Sequence, residues 1–488
     1  MFALSGFHRH RPANTTRRCA EVHPNCAGQR FLWGASAALA IFVIVCTAFI
    51  ASPARAAQND AFIRDTQGRV RYIVDLYEDD TGKPAPFRDA KEKIDWHKAN
   101  SARLIDDTIK LRGIDIIAST SLVGTSFTAY LDDKQVEHLA KDKHVERLTP
   151  DAWLTPSTNL WSDTANGTEI VSWGRQAMGI VSVGSIGAAT VYVIDTGVEQ
   201  HRDLPSLVTQ VAAFPGMNPN GCYPHATHVA GIIGAGYNGM DVVGVNPGVR
   251  LVSIAIGDIA GNNCSDGYPV SGMIQALEFV KQEVLSIGNI GVANISLNVD
   301  PPNLNYFLAS STVGAKMLSV ATPTTQDGSG YRGVLIVQSA GNHDGNACQS
   351  AFNNGGSASS NDGILVVGGL DQNGQRVSRF VGLAGQADLN GFVNQPQPQG
   401  EFGSNSGSCV ELYAPCQQII STWTNHGRNS LSGTSMAAPH VAGLASIIVD
   451  SNPYLASSHD LEAAVRASLS TIQGSNLAMP MQSQSTLT

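Results

Sequence analysis

Positive charge is scarce over most of this 488-residue chain. Residues 151–488 hold ten Lys/Arg against 22 Asp/Glu, within a whole-chain balance of 31 to 40. Phosphate binding needs clustered cations, so the composition excludes nucleic acid as a partner. Charged residues of both signs make up only 15 % of the chain and hydrophobic ones 43 %. That profile is globular, with enough length to bury a large core, and it excludes disordered and collagen-like classes. No internal period is present, which excludes solenoids and propellers. Cysteine is sparse too, with eight in the chain, three of them (Cys19, Cys26 and Cys46) within the first 56 residues.

Those first residues hold the one basic stretch. Arg9, Arg11, Arg17, Arg18 and Arg30 precede an apolar run over 31–50, and "ASPARAAQ" follows, with Ala54 and Ala56 at small-x-small spacing. The pattern predicts a secretory signal over 1–56, removed after Ala56. The apolar run is near the length that spans a bilayer, so a retained membrane anchor is the alternative. Export to an oxidising compartment would leave Cys222, Cys264, Cys348, Cys409 and Cys416. Five is odd, so at most two disulfides form and one thiol is left over.

Residues 57–150 read as a small α+β domain. "VRYIVDLY" alternates Val70, Tyr72, Val74 and Leu76, a charged helix follows over 90–110, then "IDIIAST", "FTAYL", a helix over 133–141, and "VERL". Strand-helix-strand-strand-helix-strand is the split βαβ, ferredoxin-like order. Residues 151–171 are rich in Thr, Ser, Asn and Pro and read as an exposed linker, where proteolytic nicks concentrate. From 172 to 488, the β-branched runs "AATVYVIDTG", "RLVSIAIGD", "GVANISL", "GVLIVQSAGN" and "GILVVGG" alternate with helical segments such as 272–285. Strands apolar on both faces predict a mostly parallel sheet covered by helices, a three-layer α/β domain.

In such sheets catalytic groups gather at the carboxyl ends of strands. Asp195 ends "VYVID" there, although alone it would be a turn cap. His225 and His228 stand three apart in "HATH". The familiar zinc pair is i, i+4 with a glutamate between, so no metal site is expected. Ser435 in "SGTSMAAPHVAG" opens an apolar helix, where it would be a simple N-cap or lie beside N–H groups able to hold an oxyanion. It lacks the second glycine of the GxSxG elbow. "GAGYNG" (234–239), with Asp258 beyond it, fits a dinucleotide fingerprint, yet the "MDVVGVNPGVR" that follows cannot open a long helix.

Taken together, "VIDTGV", "HATHVAG" and "SGTSMAAPHVAG", in the order Asp, His, Ser, resemble the subtilisin-like serine proteases over residues 170–470. The resemblance implies Ser435 as nucleophile, His225 as base and Asp195 as the group that orients it. It implies Asn342 of "QSAGN" as an oxyanion donor beside the Ser435 N–H. Substrate would add as a strand along "ANISLNV", with Ser296, Leu297 and Asn298 forming one wall of the pocket for the residue before the cut, and Ser339, Ala340 and Gly341 the other. Two residues depart from the family. Ala226 replaces a usual glycine beside the base and would crowd it, and Pro224 restricts the backbone just before. Asn298 replaces a common glycine, which implies a narrower or more polar pocket unless the side chain turns back on its own backbone.

The cysteines resemble those of the proteinase K/aqualysin branch, which implies Cys222–Cys264 and Cys348–Cys409, with Cys416 unpaired; Cys409–Cys416 is the local alternative. Residues 57–150 resemble the family's inhibitory propeptide, which assists folding and then fills the cleft with its last strand. Self-cleavage is then expected between Thr149 and Ser172, with "SWGR" opening the mature fold of 172–488. Structural calcium is common in relatives; no ligands can be assigned here, and the chemistry needs no cofactor. The expected protein is a secreted, monomeric serine endopeptidase made as a self-processing zymogen and acting on proteins or peptides. A catalytically silent peptide-binding protein on the same fold is the alternative, favoured by Pro224, Ala226 and Asn298.

Overall fold

The computed structural model describes residues 62–84, 86–110, 113–156, 159–161, 169–180, 189–220, 224–257, 268–298, 304–349, 361–380, 403–471 and 478–480. All of them belong to one compact unit, Ala51–Thr488. The expected signal segment, with Cys222, Cys264 and Asp258, lies outside the described residues. Among the described residues no helix is long and apolar enough to cross a membrane.

The first part is built as its alternation predicts. Strands β1 (Val70–Leu76), β2 (Ile116–Thr120), β3 (Ser126–Leu131) and β4 (Val145–Pro150) form an antiparallel sheet in the order β2-β3-β1-β4. Helices α1 (Ala90–Ile109) and α2 (Asp133–Leu139) complete the split βαβ pattern. Asp89 caps α1 by accepting from Glu92 N, and Asp132 with Gln135 forms a capping box on α2. Val74, Leu104, Ile105, Phe127 and Leu139 are buried together beneath the sheet.

The larger part is a seven-stranded, all-parallel sheet. Its strands are β7 (Thr190–Asp195), β8 (Leu207–Ala212), β9 (Arg250–Ala255), β11 (Gly291–Ile295), β13 (Val334–Ser339), β14 (Ile364–Leu370) and β15 (Leu412–Pro415), in the order β15-β14-β13-β11-β7-β9-β8. Side-chain alternation along β7 shows the layers. Val191 and Val193 pack with Val229 and Ile233 of α4 (Pro224–Gly234) and Val441 and Ala445 of α7 (Thr434–Ser451). Tyr192 and Ile194 face the other way, toward Met273 and Leu277 of α5 (Val270–Ile287) and Val313 and Met317 of α6 (Leu304–Ala321). Helices on both faces of a parallel sheet make the expected three-layer α/β architecture.

The segment that reads as a linker carries structure of its own. β5 (Trp153–Pro156) lies antiparallel between β10 (Tyr268–Pro269) and β12 (Leu297–Asn298). β6 (Asn159–Trp161) pairs with β17 (Gly427–Ser432), which itself pairs with β16 (Ile419–Trp423). Neither short segment shows a pattern in sequence because its strand pairing comes from the edges it joins. A short helix, α3 (Trp173–Ala177), follows with Ser172 as its cap.

The two parts meet through partly buried polar contacts. Glu278 on α5 accepts from the backbone N–H groups of Ser121, Leu122 and Val123, at 2.9–3.2 Å, and from Ser121 Oγ at 2.8 Å. Lys93 on α1 donates to Asp327 and to Thr324 Oγ1, and Lys316 on α6 pairs with Asp75 on β1 at 2.8 Å.

Candidate active site

Asp195 sits at the carboxyl end of β7, between β9 and β11 and so well inside the sheet. Its Oδ1 accepts from Thr196 N at 2.7 Å and faces His225 Nδ1, also at 2.7 Å. A carboxylate can only accept, so Nδ1 carries the proton and Nε2 is left as the basic nitrogen. Among the described residues Nε2 has no hydrogen-bond partner. Pro224 and His225 are the first two residues of α4. Proline is favourable there because its missing N–H would be unpaired in any helix.

Ala226 does not crowd the base. Its N–H donates to Thr196 Oγ1 at 3.1 Å and its methyl joins the core beside Val229, while the Asp195–His225 contact stays at 2.7 Å. Gly231, one turn on, is required by close approach: a Cβ there would run into Ser421 Oγ and Thr422 Oγ1 of β16. His228 turns to that same hairpin, its Nε2 3.1 Å from the carbonyls of Ile419 and Asn429. Burial lowers its pKa to about 3, so it is a neutral donor to the backbone. Among the described residues no three His, Cys, Asp or Glu side chains gather as a metal site. The glycines of 234–239 follow a helix, where a dinucleotide fingerprint needs a strand.

Ser435 is the second residue of α7. Its Oγ donates to the Ser296 carbonyl at 3.0 Å, so in this arrangement it is turned away from His225 Nε2. Ser296 answers reciprocally: its Oγ donates to the Ser435 carbonyl at 3.0 Å and accepts from Asn294 Nδ2 at 2.9 Å. The reason lies four residues on. Pro439 has no N–H for the Ser435 carbonyl, and Ser296 supplies the missing donor. The proline inside the helix therefore couples the Ser435 turn to the segment leading into β12.

Asn342 follows Gly341, whose φ of +99° turns the chain after β13 in a way that favours glycine. The Asn342 side-chain oxygen accepts from Thr434 N at 2.9 Å and Thr434 Oγ1 at 2.8 Å, which directs its N–H₂ away from Thr434. Gly341 N donates to Thr434 Oγ1 at 3.1 Å. Thr434 and Asn294 were not singled out from sequence, although Thr434 stands next to Ser435 in the same motif. Ser339 and Asn298 meet through Asn298 Nδ2 to Ser339 Oγ at 2.8 Å, so Asn298 reaches across to the end of β13 and does not fold back on its own backbone. Leu297 and Ala340 are wholly buried. Cys348 and Cys409 form a disulfide, and Cys416 is a buried free thiol. Cys409–Cys416 is thereby excluded.

The chain's own residues pair on both sides of this site. Pro156 pairs with Leu297, next to Ser296, and Asn159 pairs with Ser432, three residues before Ser435. Ser435 is 0 % and His225 1 % exposed.

Comparison with known proteins gives a consistent account. The family model described as the Subtilase family matches residues 187–483, well over half of the chain. An alkaline serine protease of Corniculantispora psalliotae is 29 % identical over 70 % of this chain and 75 % of its own. A thermostable alkaline protease of Halalkalibacterium halodurans is 28 % identical over 67 % of this chain and 72 % of its own. The crystal structure of fervidolysin from Fervidobacterium pennivorans, a keratinolytic enzyme related to subtilisin, aligns with a TM-score of 0.51. It covers 79 % of this chain and 55 % of that one at 19 % identity, a likeness of fold alone. With the matched region containing Asp195, His225, Asn342 and Ser435, the chain belongs to the subtilase family of serine endopeptidases.

Proposed function

We propose that the chain is a secreted zymogen that cuts itself and then other proteins or peptides, with Ser435 as nucleophile, His225 as base and Asp195 as its orienting carboxylate. The supporting observation is the pairing of the chain's own residues on both sides of Ser435, Thr155 and Pro156 with β12 and residues 159–161 with β17. A peptide strand added to β12 is held by main-chain bonds, so many sequences are accepted. The Ser435 hydroxyl rotates from the Ser296 carbonyl to His225 Nε2, gives up its proton and attacks the peptide carbonyl. Asp195 stabilises the imidazolium that forms. The oxyanion accepts from Asn342 Nδ2 and the Ser435 N–H at the start of α7. His225 then passes its proton to the leaving amine, and water releases the acyl group by the same steps in reverse.

The two pairings narrow the expected maturation region of 149–172. The first cut falls at one of the bonds between Pro156 and Asn159, after which the segment from residue 57 to the cut acts as the inhibitor.

A second reading has one observation in its favour: Ser435 Oγ is bonded to a carbonyl and not to the base. That fits a silent peptide-binding fold as well as a latent zymogen. Intact mass before and after a fluorophosphonate probe, beside a Ser435→Ala twin, tests both. The proposal expects a shortened wild type whose catalytic fragment begins between residues 157 and 159 and carries one adduct, with a full-length, unlabelled twin. A full-length, unlabelled wild type that stays unlabelled after a trace of added protease removes residues 57–156 overturns it in favour of the silent fold.

A further inference from the structure

Asn298 is wholly buried, yet only half of its amide is satisfied. Its Nδ2 donates to Ser339 Oγ at 2.8 Å, while its Oδ1 has no partner among the described residues. Buried acceptors are nearly always paired, so an orphan beside a reaction site is a candidate for a ligand's donor.

Its position indicates which part of a ligand would supply that donor. The Asn298 backbone pairs with Thr155, and Leu297 with Pro156, so the next residue of the bound strand runs toward Ser296 and Ser435. Ser339 ends β13 and leads through Ala340 and Gly341 to Asn342. The Asn298–Ser339 bond therefore joins the two segments that flank Ser435, and it occupies space that a residue without a side chain would leave open. Ser339 Oγ accepts from Asn298 and keeps its own proton to donate. An acceptor and a donor thus stand side by side, which matches a hydroxyl.

We infer that Asn298, latched to Ser339, determines specificity: it closes the pocket to large side chains and accepts a hydrogen bond from a small hydroxyl residue, serine above all, preceding the cleaved bond. The inference rests on the protease reading above and names the substrate class of that site. The chain's own sequence agrees, since Pro156 is followed by Ser157 and Thr158, both hydroxyl residues, in the stretch where the first cut is expected.

The test uses the full chain after self-processing, titrated with a fluorophosphonate so that kcat/KM refers to competent sites. Peptides differing only in Ser, Ala, Leu or Phe before the cut are compared. Wild type should prefer Ser over Ala by about tenfold, the worth of one good hydrogen bond, and should cleave after Leu and Phe at least tenfold less well than after Ala. Asn298→Gly should raise cleavage after Leu and Phe by about tenfold or more and bring the Ser/Ala ratio near one. Asn298→Leu, of similar shape without polar atoms, should lose the Ser/Ala preference while still rejecting Phe. A titratable wild type that cleaves after Phe or Leu as well as after Ser overturns the inference even if neither variant folds, as does an Asn298→Gly enzyme with the wild-type ranking. A wild type that fails to titrate even after a trace of added protease has removed the N-terminal segment overturns the protease reading and this inference with it.

Discussion

Thr434 holds Asn342 from two atoms, its N–H and its hydroxyl, and accepts from Gly341 N as well. Loss of the hydroxyl removes one of the bonds that hold the Asn342 oxygen and loosens the amide. Thr434→Ala is expected to lower kcat by roughly tenfold with little change in KM, and Thr434→Ser to restore most of it. On the proposed mechanism Asn342→Ala should cost more, about 100- to 1000-fold in kcat, because it removes an oxyanion donor outright. Steady-state kinetics on titrated enzyme separates the two. At this scale the sequence was partly legible. Asp195, His225 and Ser435 stand in long motifs whose residues have little freedom, and the structure brings Asp195 and His225 to 2.7 Å. The direction of the Asn298 side chain was not legible, because it depends on Ser339, 41 residues away. Nor was the role of Pro439, which appears only once Ser296 is seen to donate to the carbonyl that the proline leaves without an N–H.

Among the elements, helix α1 docks on the larger domain through Lys93, and the loop before β3 docks through Glu278. Glu278→Ala would strand three backbone N–H groups and the Ser121 hydroxyl. Hydrogen exchange of residues 116–131 in a Ser435→Ala background should rise by roughly tenfold or more. His97, next to Trp96 on α1, adds a pH dependence. Burial, reinforced by Lys83, Lys93 and Lys281, lowers its pKa to about 4. A neutral histidine is thus favoured in the fold, and its contribution to stability is lost as pH falls from about 6.5 toward 4. Exchange over 90–109, corrected for the intrinsic pH effect, should therefore quicken at pH 5 relative to pH 7, and His97→Phe should remove that difference. The helix over 272–285 and the buried strands were visible because apolar runs fix them. β8 and β15 escaped notice as edge strands. Most of β8 is only partly buried, and β15 has just four residues. β5 and β6 escaped because their partners are distant in sequence.

Across the whole molecule, the Cys348–Cys409 bridge spans 61 residues. A loop of that size is worth about 4 kcal/mol in the chain-entropy account. Replacing both cysteines by serine in the Ser435→Ala background should lower the denaturant midpoint accordingly, and the inactive background prevents self-digestion during the measurement. Burial raises the Cys416 thiol pKa well above its ordinary value, so the native protein should hide it from thiol reagents. After denaturation without reductant, the form lacking residues 1–56 should titrate one thiol if Cys222 and Cys264 are bridged; three would refute that pairing.

The two pairings that flank Ser435 also set the order of the reaction in time. Because Trp153–Pro156 and Asn159–Trp161 belong to the chain that carries Ser435, the peptide bond of the proposed self-cleavage needs no encounter with another molecule. Its effective concentration is fixed by the fold. Maturation should accordingly be first order, with a half-time that does not change when the purified precursor is diluted a hundredfold, about two decades, while every later turnover slows in proportion. A half-time that lengthens on dilution would mean that one molecule is opened by another.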